Sequence, residues 1–496
     1  MKSSTLHLHP KIQIGPVDPR IFGGFLEHMG RAIYQGVYDP DCAHADEEGF
    51  RTDVLEALKR LRMTAMRYPG GNFVSGYHWP DGVGPVENRP TVIDLAWNSI
   101  EPNRVGTDEF IRLAHKMGWT PMLSANLGTG TPEEARNWVE YCNAPTGTKY
   151  ADQRAENGNE DPFGVKLWCL GNEMDGSWQL GHVPAEQYAI RAQQAGHLIK
   201  LVDKSVELVV CGTCDLSLPT YIEWDQAVLE HVGDHADYIS LHRYVRNFED
   251  DTPNFLAVTN SIDQQIEAID GLCRAVQAKR RSAKRAYLCF DEWNVWYKNY
   301  EMDGKRQFAP HLVEEVYNLE DALVVAGFLN SFLRHADSVK IANIAQIVNI
   351  IAPILTKGDE HLIQSIFYPF EMYTKRREGA SLRLSVDGPT YTTQSYGVAS
   401  YLDASAILSG RDLHVFTTNR DTAESMEINI HLADRPIVSL VDAEILTGPD
   451  AKAANSFEEP DRVRSRVFED VTIRDGRATY ELPPLSVAAF TFRTEG

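Results

Sequence analysis

VKLWCLGNEMDGSW, residues 165–178, opens as a buried strand and closes on a carboxylate, Glu173, directly behind Gly171 and Asn172. An acid at the end of an apolar run is a poor way to fill a core, so the run must be read among its neighbours. Seven others share its form: IFGGFLEH (21–28), AMRYPGG (65–71), PMLSANLG (121–128), ELVVCGTC (207–214), DYISLHRY (237–244), AYLCFDEWN (286–294) and VKIANIAQIV (339–348). Segments of helical period lie between them, among them DVLEALKRL (53–61), TDEFIRLAHKMG (107–118), PEEARNWVEYC (132–142), AEQYAIRAQQAGHLIKLV (185–202), a long stretch near 260–280 and EDALVVAGFLNSFLRH (320–335). Near-continuous apolar strands, each followed by a helix, imply a parallel sheet covered on both faces. Eight such units fit an α/β fold closed as a (β/α)8 TIM barrel. An open doubly wound sheet would need a Gly-rich phosphate turn after an early strand, and Gly70-Gly71 lacks that spacing.

After LIQSIFYPFEMYTKRR, read as a last helix, the texture changes to alternating strands: LRLSVDG, DLHVFTTN, MEINIHL, VSLVDAEILTG, VTIRDGRATYEL and VAAFTFR. That pattern predicts a C-terminal antiparallel β-sandwich, jelly-roll-like in form. LHLHPKIQIG (6–15) alternates too, so the expected division is 1–19 as a strand joining the sandwich, 20–378 as the barrel and 379–496 as the sandwich.

The chain has 496 residues, 43% hydrophobic and 24% charged, ordinary for a soluble globular protein. A net charge of −22 argues against nucleic acid or anionic membrane as a partner. The N-terminal stretch has no apolar run long enough for a signal peptide, and residues 339–355 carry Lys340, two Asn and Gln346, so no membrane span is expected. Seven scattered cysteines do not suggest a disulfide framework, and Cys211-Gly-Thr-Cys214 reads as buried thiols closing a strand. A cytoplasmic protein without cofactor or metal is the simplest expectation.

The working face of such a barrel is the C-terminal end of its strands. There the runs close on Glu27-His28, on Arg67 and Asn72, on Asn172-Glu173, on His242 and Tyr244, on Asp291-Glu292-Trp293-Asn294 and on Gln346. Glu173 and Glu292 end the fourth and seventh runs, across the mouth from one another. Cleavage of an acetal needs a proton for the leaving oxygen and a group that captures the oxocarbenium-like centre; two acids with separated pKa values do both. Either acid alone could equally be half of an ion pair, but Arg67 is the only cation among these strand ends. Asn72, Asn172 and Gln346 suit sugar hydroxyls, and Trp178, Trp293, Trp296 and Tyr244 offer apolar faces for a sugar ring. Asn172 and Glu173 would face opposite ways on a regular strand, so an irregularity is expected there. Tyr244 is placed to donate to Glu292 and favour its ionised form.

IFGGFLEHMGRAIYQGVYDP, MRYPGGNFVSGYHW, WCLGNEMDGSWQLGH, ADYISLHRY, DEWNVWY and NIAQIVNIIAPI together resemble glycoside hydrolase family 51 α-L-arabinofuranosidases, in the family's order over residues 21 to about 355. The resemblance implies a retaining mechanism with Glu173 as general acid/base and Glu292 as nucleophile. It implies that Glu27, Asn72, Asn172, Tyr244 and Gln346 hold the arabinofuranose ring, that Trp296 helps recognise substrate, and that Arg67 orients the nucleophile, with His242 and Trp178 in support. It further implies arabinose-containing oligosaccharides as partners, no metal, and a homo-oligomer such as a hexamer. Residues 297–313 are expected to shape the mouth. The rival readings are an endo-β-glucanase or β-xylosidase on the same barrel, a sugar-binding protein without turnover, and a metal-dependent hydrolase. The last would need paired histidines at the working face; LHLH (6–9) precedes the first barrel strand.

Overall fold

The computed structural model describes residues 1–298 and 305–495. Eight parallel strands close into a barrel: Gly23–Phe25, Ala65–Tyr68, Thr120–Ala125, Leu167–Leu170, Glu207–Val210, Tyr238–Val245, Tyr287–Val295 and Val339–Ala345. The last pairs with the first, Asn343 opposite Gly23. Five lie within the runs that predict them and three, Thr120–Ala125, Tyr238–Val245 and Tyr287–Val295, extend one residue beyond; each is followed by a helix, from Thr52–Arg60 after the first to Phe367–Thr374 after the last.

Period-two alternation sorts the strand side chains into two layers. Met122, Leu167, Cys169, Val209, Tyr238, Cys289 and Ile341 fill the barrel interior as one cluster. Their neighbours Leu123, Trp168, Leu170, Leu208, Val210 and Phe290 join the larger core beneath the helices. Trp168 meets Trp138 of helix Pro132–Asn143 edge-on at 5.4 Å, and Phe290 meets Phe332 of helix Leu319–Arg334 at 5.0 Å. All seven cysteines are buried and free.

Helix Leu319–Arg334 is buried on every side, and the polar side chains it carries inward, Glu320, Asp321, Asn330 and Ser331, are all hydrogen-bonded. Asn318 caps it, accepting from the Asp321 N–H while the Asp321 carboxylate takes the Asn318 N–H. One face packs on the barrel; the other meets the second domain, where Arg334 and Asn330 reach Asp403 at 2.8 and 2.9 Å.

The second domain is a ten-stranded sheet folded over a core that includes Leu6, Leu382, Ile428, Tyr480, Phe490 and Phe492. Strand Lys2–Pro16 lies inside it, antiparallel to Ala380–Asp387 and parallel to Met426–Leu432. Strand Leu402–Ser409 shows no alternation because it is buried along nearly its whole length, and the sequence pattern missed it. Among the described residues no helix is long and apolar enough to cross a membrane.

Candidate active site

Two local irregularities bring the acids together. Strand four ends at Leu170, after which Gly171 takes φ +94° and Glu173 φ +44°. The chain turns there, so that Asn172 reaches Arg67 and Glu173 reaches His242, as the sequence requires. Strand seven carries a bulge. Cys289 and Glu292 stand opposite Ser240 and His242, and Phe290 and Trp293 opposite Ala342 and Ile344, three steps against two on both sides. The extra residue lets Asp291 and Glu292, adjacent in sequence, both face the barrel axis.

Around Glu292 the donors are dense. Arg67 Nη1 donates to Oε1 at 2.6 Å and the Tyr244 hydroxyl to Oε2 at 2.9 Å. Arg67 is fully buried, its guanidinium 4.7 Å from the centre of the Phe25 ring, and it also reaches Asn172 Oδ1 at 2.7 Å, Ser124 Oγ at 3.2 Å and Asp291 Oδ2 at 3.3 Å. Gly71 leaves room here: a Cβ would stand 2.4 Å from Glu292 Oε1, which Arg67 holds in place.

Glu173 accepts from His242 Nδ1 at 2.8 Å and from Trp178 Nε1 at 2.7 Å. His242 Nδ1 also lies 3.5 Å from Glu292, and Nε2 lies 3.3 Å from Asp291. Burial opposes charge on this ring, but Glu292, Asp291 and Glu173 outweigh it and hold it protonated well above the usual histidine range. Burial, joined by the nearby Glu173 charge, raises Glu292 above the usual carboxylate range against the pull of His242 and Arg67. The Tyr244 hydrogen bond is therefore as expected, but it does not carry Glu292 below its ordinary value. Asp291 goes the other way: burial is overcome by Arg67 and His242.

Glu27 accepts from the N–H groups of Gly71 and Phe73 at 2.9 and 3.0 Å and from Trp97 Nε1 at 3.1 Å. Burial, with Glu292 adding to it, pushes its carboxyl up to about 8. Gln346 brackets it, accepting the Glu27 N–H at 3.0 Å and donating to Oε2 at 3.3 Å. Asn72 accepts from Asn172 Nδ2 at 3.4 Å. Trp296 meets Tyr244 edge-on at 5.0 Å.

A cavity of about 290 Å³ opens between these groups, lined in part by Glu27, Asn72, Glu173, Trp178, His242, Tyr244, Glu292, Trp296 and Gln346. Asn172 and Arg67 adjoin this lining, bonded to Asn72 and Glu292 respectively. Trp293 does not belong to it: it is buried outside the barrel against Phe328 and Phe332, because past the strand-seven bulge the side chain that follows inward-facing Glu292 turns to the helices. Nor is Arg67 the only cation at the strand ends, since Arg243 and Arg246 line the cavity. Trp97, Asp215 and Leu216 carry no signal in the sequence because they lie in loops without periodicity, and Cys214, expected only as a buried thiol, is buried and also borders the cavity. Of the stretch 297–313, residues 299–304 lie outside the described residues.

Glu173, His242 and Glu292 bring one ligand-type atom each within 4.8 Å of one another. That convergence resembles a metal site, but His242 spends Nδ1 as a donor to Glu173, and a guanidinium occupies Glu292. The arrangement is a charge-balanced acid pair, able to deliver a proton and attack a carbon within one cavity.

A two-carboxylate cavity at the C-terminal mouth of a (β/α)8 barrel defines a glycosidase. Residues 57–259 match the α-L-arabinofuranosidase 1 domain and residues 291–486 the α-L-arabinofuranosidase C-terminal domain. An intracellular exo-α-(1→5)-L-arabinofuranosidase 1 of Bacillus subtilis (strain 168) is 45% identical over 92% of this chain and 92% of its own. Among solved structures, AbfB, a family 51 α-L-arabinofuranosidase from Bifidobacterium longum, superposes with a TM-score of 0.95 at 35% identity, covering 99% of this chain and 100% of that one. The Thermotoga maritima α-L-arabinofuranosidase, in complex with arabinose, gives 0.89 at 33%, with the same coverage. The chain belongs to the α-L-arabinofuranosidases of glycoside hydrolase family 51.

Proposed function

We propose that this enzyme releases terminal α-L-arabinofuranosyl residues from short arabinan- or arabinoxylan-derived oligosaccharides, with retention of configuration. The observation that carries the reading is the approach of a Glu173 oxygen and a Glu292 oxygen to within 4.8 Å across the cavity. Retaining glycosidases hold their carboxyl groups about 5–5.5 Å apart, whereas inverting ones leave about 6.5–9.5 Å for a water.

The surroundings assign the roles. Glu292 is buried and held from below by Arg67 and Tyr244, so its free lone pair can attack the anomeric carbon. Glu173 is half-buried beside the half-exposed Trp178, where a leaving group has a way out. In the first step Glu173 protonates the departing oxygen as Glu292 forms the glycosyl-enzyme ester. In the second, Glu173 takes a proton from the water that displaces Glu292. Glu27, Asn72, Asn172, Tyr244 and Gln346 hold the ring hydroxyls, with Trp296 at the rim, and Arg67 keeps the nucleophile in place. No metal enters the scheme.

Relatives named for exo-α-(1→5) and exo-α-(1→6) action support an exo mode but divide on linkage. The word intracellular in several of their names supports a cytoplasmic setting. The same reading takes residues 20–378 as the catalytic barrel, 1–19 and 379–496 as the sandwich, and a homo-oligomer, hexameric by family likeness, as the working form. Hydrolysis of aryl α-L-arabinofuranoside, compared with aryl β-xyloside and carboxymethyl-cellulose, tests the activity; a preference for either of the latter would replace it.

A further inference from the structure

Asp291 has no part in this two-carboxylate chemistry and does not line the cavity. Yet the strand-seven bulge exists to turn it inward: in a regular strand the residue before an inward-facing Glu292 would point at the helices. Its side chain is 2% exposed and its carboxylate accepts from the Ser240 hydroxyl, with Arg67 Nη2 and His242 Nε2 each 3.3 Å away.

The consequence falls on His242. Acidic oxygens stand at both ring nitrogens, Glu173 and Glu292 on Nδ1 and Asp291 on Nε2. A neutral ring would turn a lone pair toward one of these carboxylates, so the geometry calls for two N–H groups. The remaining neighbours do not relieve this. Arg67, on strand two, is engaged by Asp291 and Glu292; Tyr244, on the same strand as the histidine, donates to Glu292; Gln265, on helix Thr259–Arg280, donates to the His242 carbonyl.

We propose that Asp291 is a positioning residue for the reaction: it fixes His242 as a two-N–H donor behind Glu173 and Glu292, and so sets the pH range in which one is acid and the other nucleophile. This rests on the roles assigned to those two acids above. The elevated pKa of His242 is consistent with it.

Asp291→Asn tests the inference with little change of shape. The new amide can donate to Nε2, leaving a neutral ring that still donates from Nδ1 to Glu173. The imidazolium, which acts on Glu292 more strongly than Asp291 does and bonds Glu173 directly, then no longer favours their ionised forms. Both limbs of the kcat/KM profile on aryl α-L-arabinofuranoside move to higher pH, by about one unit. A uniform drop with unmoved limbs, as a purely structural role would give, overturns the proposal. Neutron diffraction from the wild-type enzyme near pH 7 provides a check that does not depend on the variant folding: deuterium on both ring nitrogens is expected, and one bare nitrogen refutes it. A wild-type enzyme inactive on the arabinofuranoside would strike the functional reading instead, whereas activity with unmoved limbs strikes Asp291 alone.

Discussion

Arg67 is the residue on which the charge balance at the barrel floor turns. It is fully buried between two carboxylates, Asp291 and Glu292, and removing one partner of such a group strands the others without compensation. Arg67→Met is expected to lower stability by about 3–5 kcal/mol, read from denaturant unfolding, and to abolish turnover; a variant as stable as the parent would mean that the guanidinium is dispensable. The half-buried Glu173 makes a different prediction. Glu173→Ala should harm alkyl or sugar leaving groups far more than activated phenols, which need little protonation, and equal losses on both would remove it as the acid. Glu173, Glu292, Arg67 and Gln346 were legible because strand ends concentrate polar groups on one face of a barrel. Trp97 was not: it reaches Glu27 from a loop, and a tryptophan in a loop has no pattern to distinguish it from core.

At the scale of elements, the site depends on where strands cease to be regular. The turn after Leu170 was foreseeable, because Asn172 and Glu173 could not otherwise serve one site. The strand-seven bulge was not, since DEWN reads as ordinary alternation and only the pairing with both neighbours exposes the extra residue. The same oversight put Trp293 at the mouth instead of under the helices. The loop after strand two brings the Gly71 backbone against Glu292, and Gly71→Ala tests this approach. Its added methyl must displace Glu292 Oε1 from 2.4 Å, so kcat should fall at least tenfold while the melting temperature changes little. Unaltered kcat would show that the nucleophile has room to move.

Across the whole molecule, the division of the chain matters less than its return. Strand Lys2–Pro16 sits inside the C-terminal sheet, between Ala380–Asp387 and Met426–Leu432. Deleting residues 1–16 would bare two inner strand edges, and the expected product is insoluble; a soluble, active truncation would contradict that pairing. Stability should also depend on pH in a definite sense. Burial raises the carboxyl of Glu27 to about 8, those of Asp225 and Asp321 to about 7, and those of Asp94 and Asp108 to about 6. The folded chain therefore keeps protons that the unfolded chain gives up above about pH 4, and stability falls as pH rises through these values. Asp263 opposes this only in acid, where burial is overcome by Arg334 and His335 and its carboxyl is lowered to about 2. The melting temperature should be higher at pH 5–6 than at pH 8–9, with Glu27→Gln flattening the slope.

If Glu292 attacks the anomeric carbon while Glu173 serves the opposite face, rescue by azide has one stereochemical outcome. In Glu173→Ala acting on an activated aryl α-L-arabinofuranoside, azide should displace Glu292 from the glycosyl-enzyme. Two inversions then give α-L-arabinofuranosyl azide, identified by NMR, with turnover restored. The β-azide, or no azide adduct at all, would contradict the account.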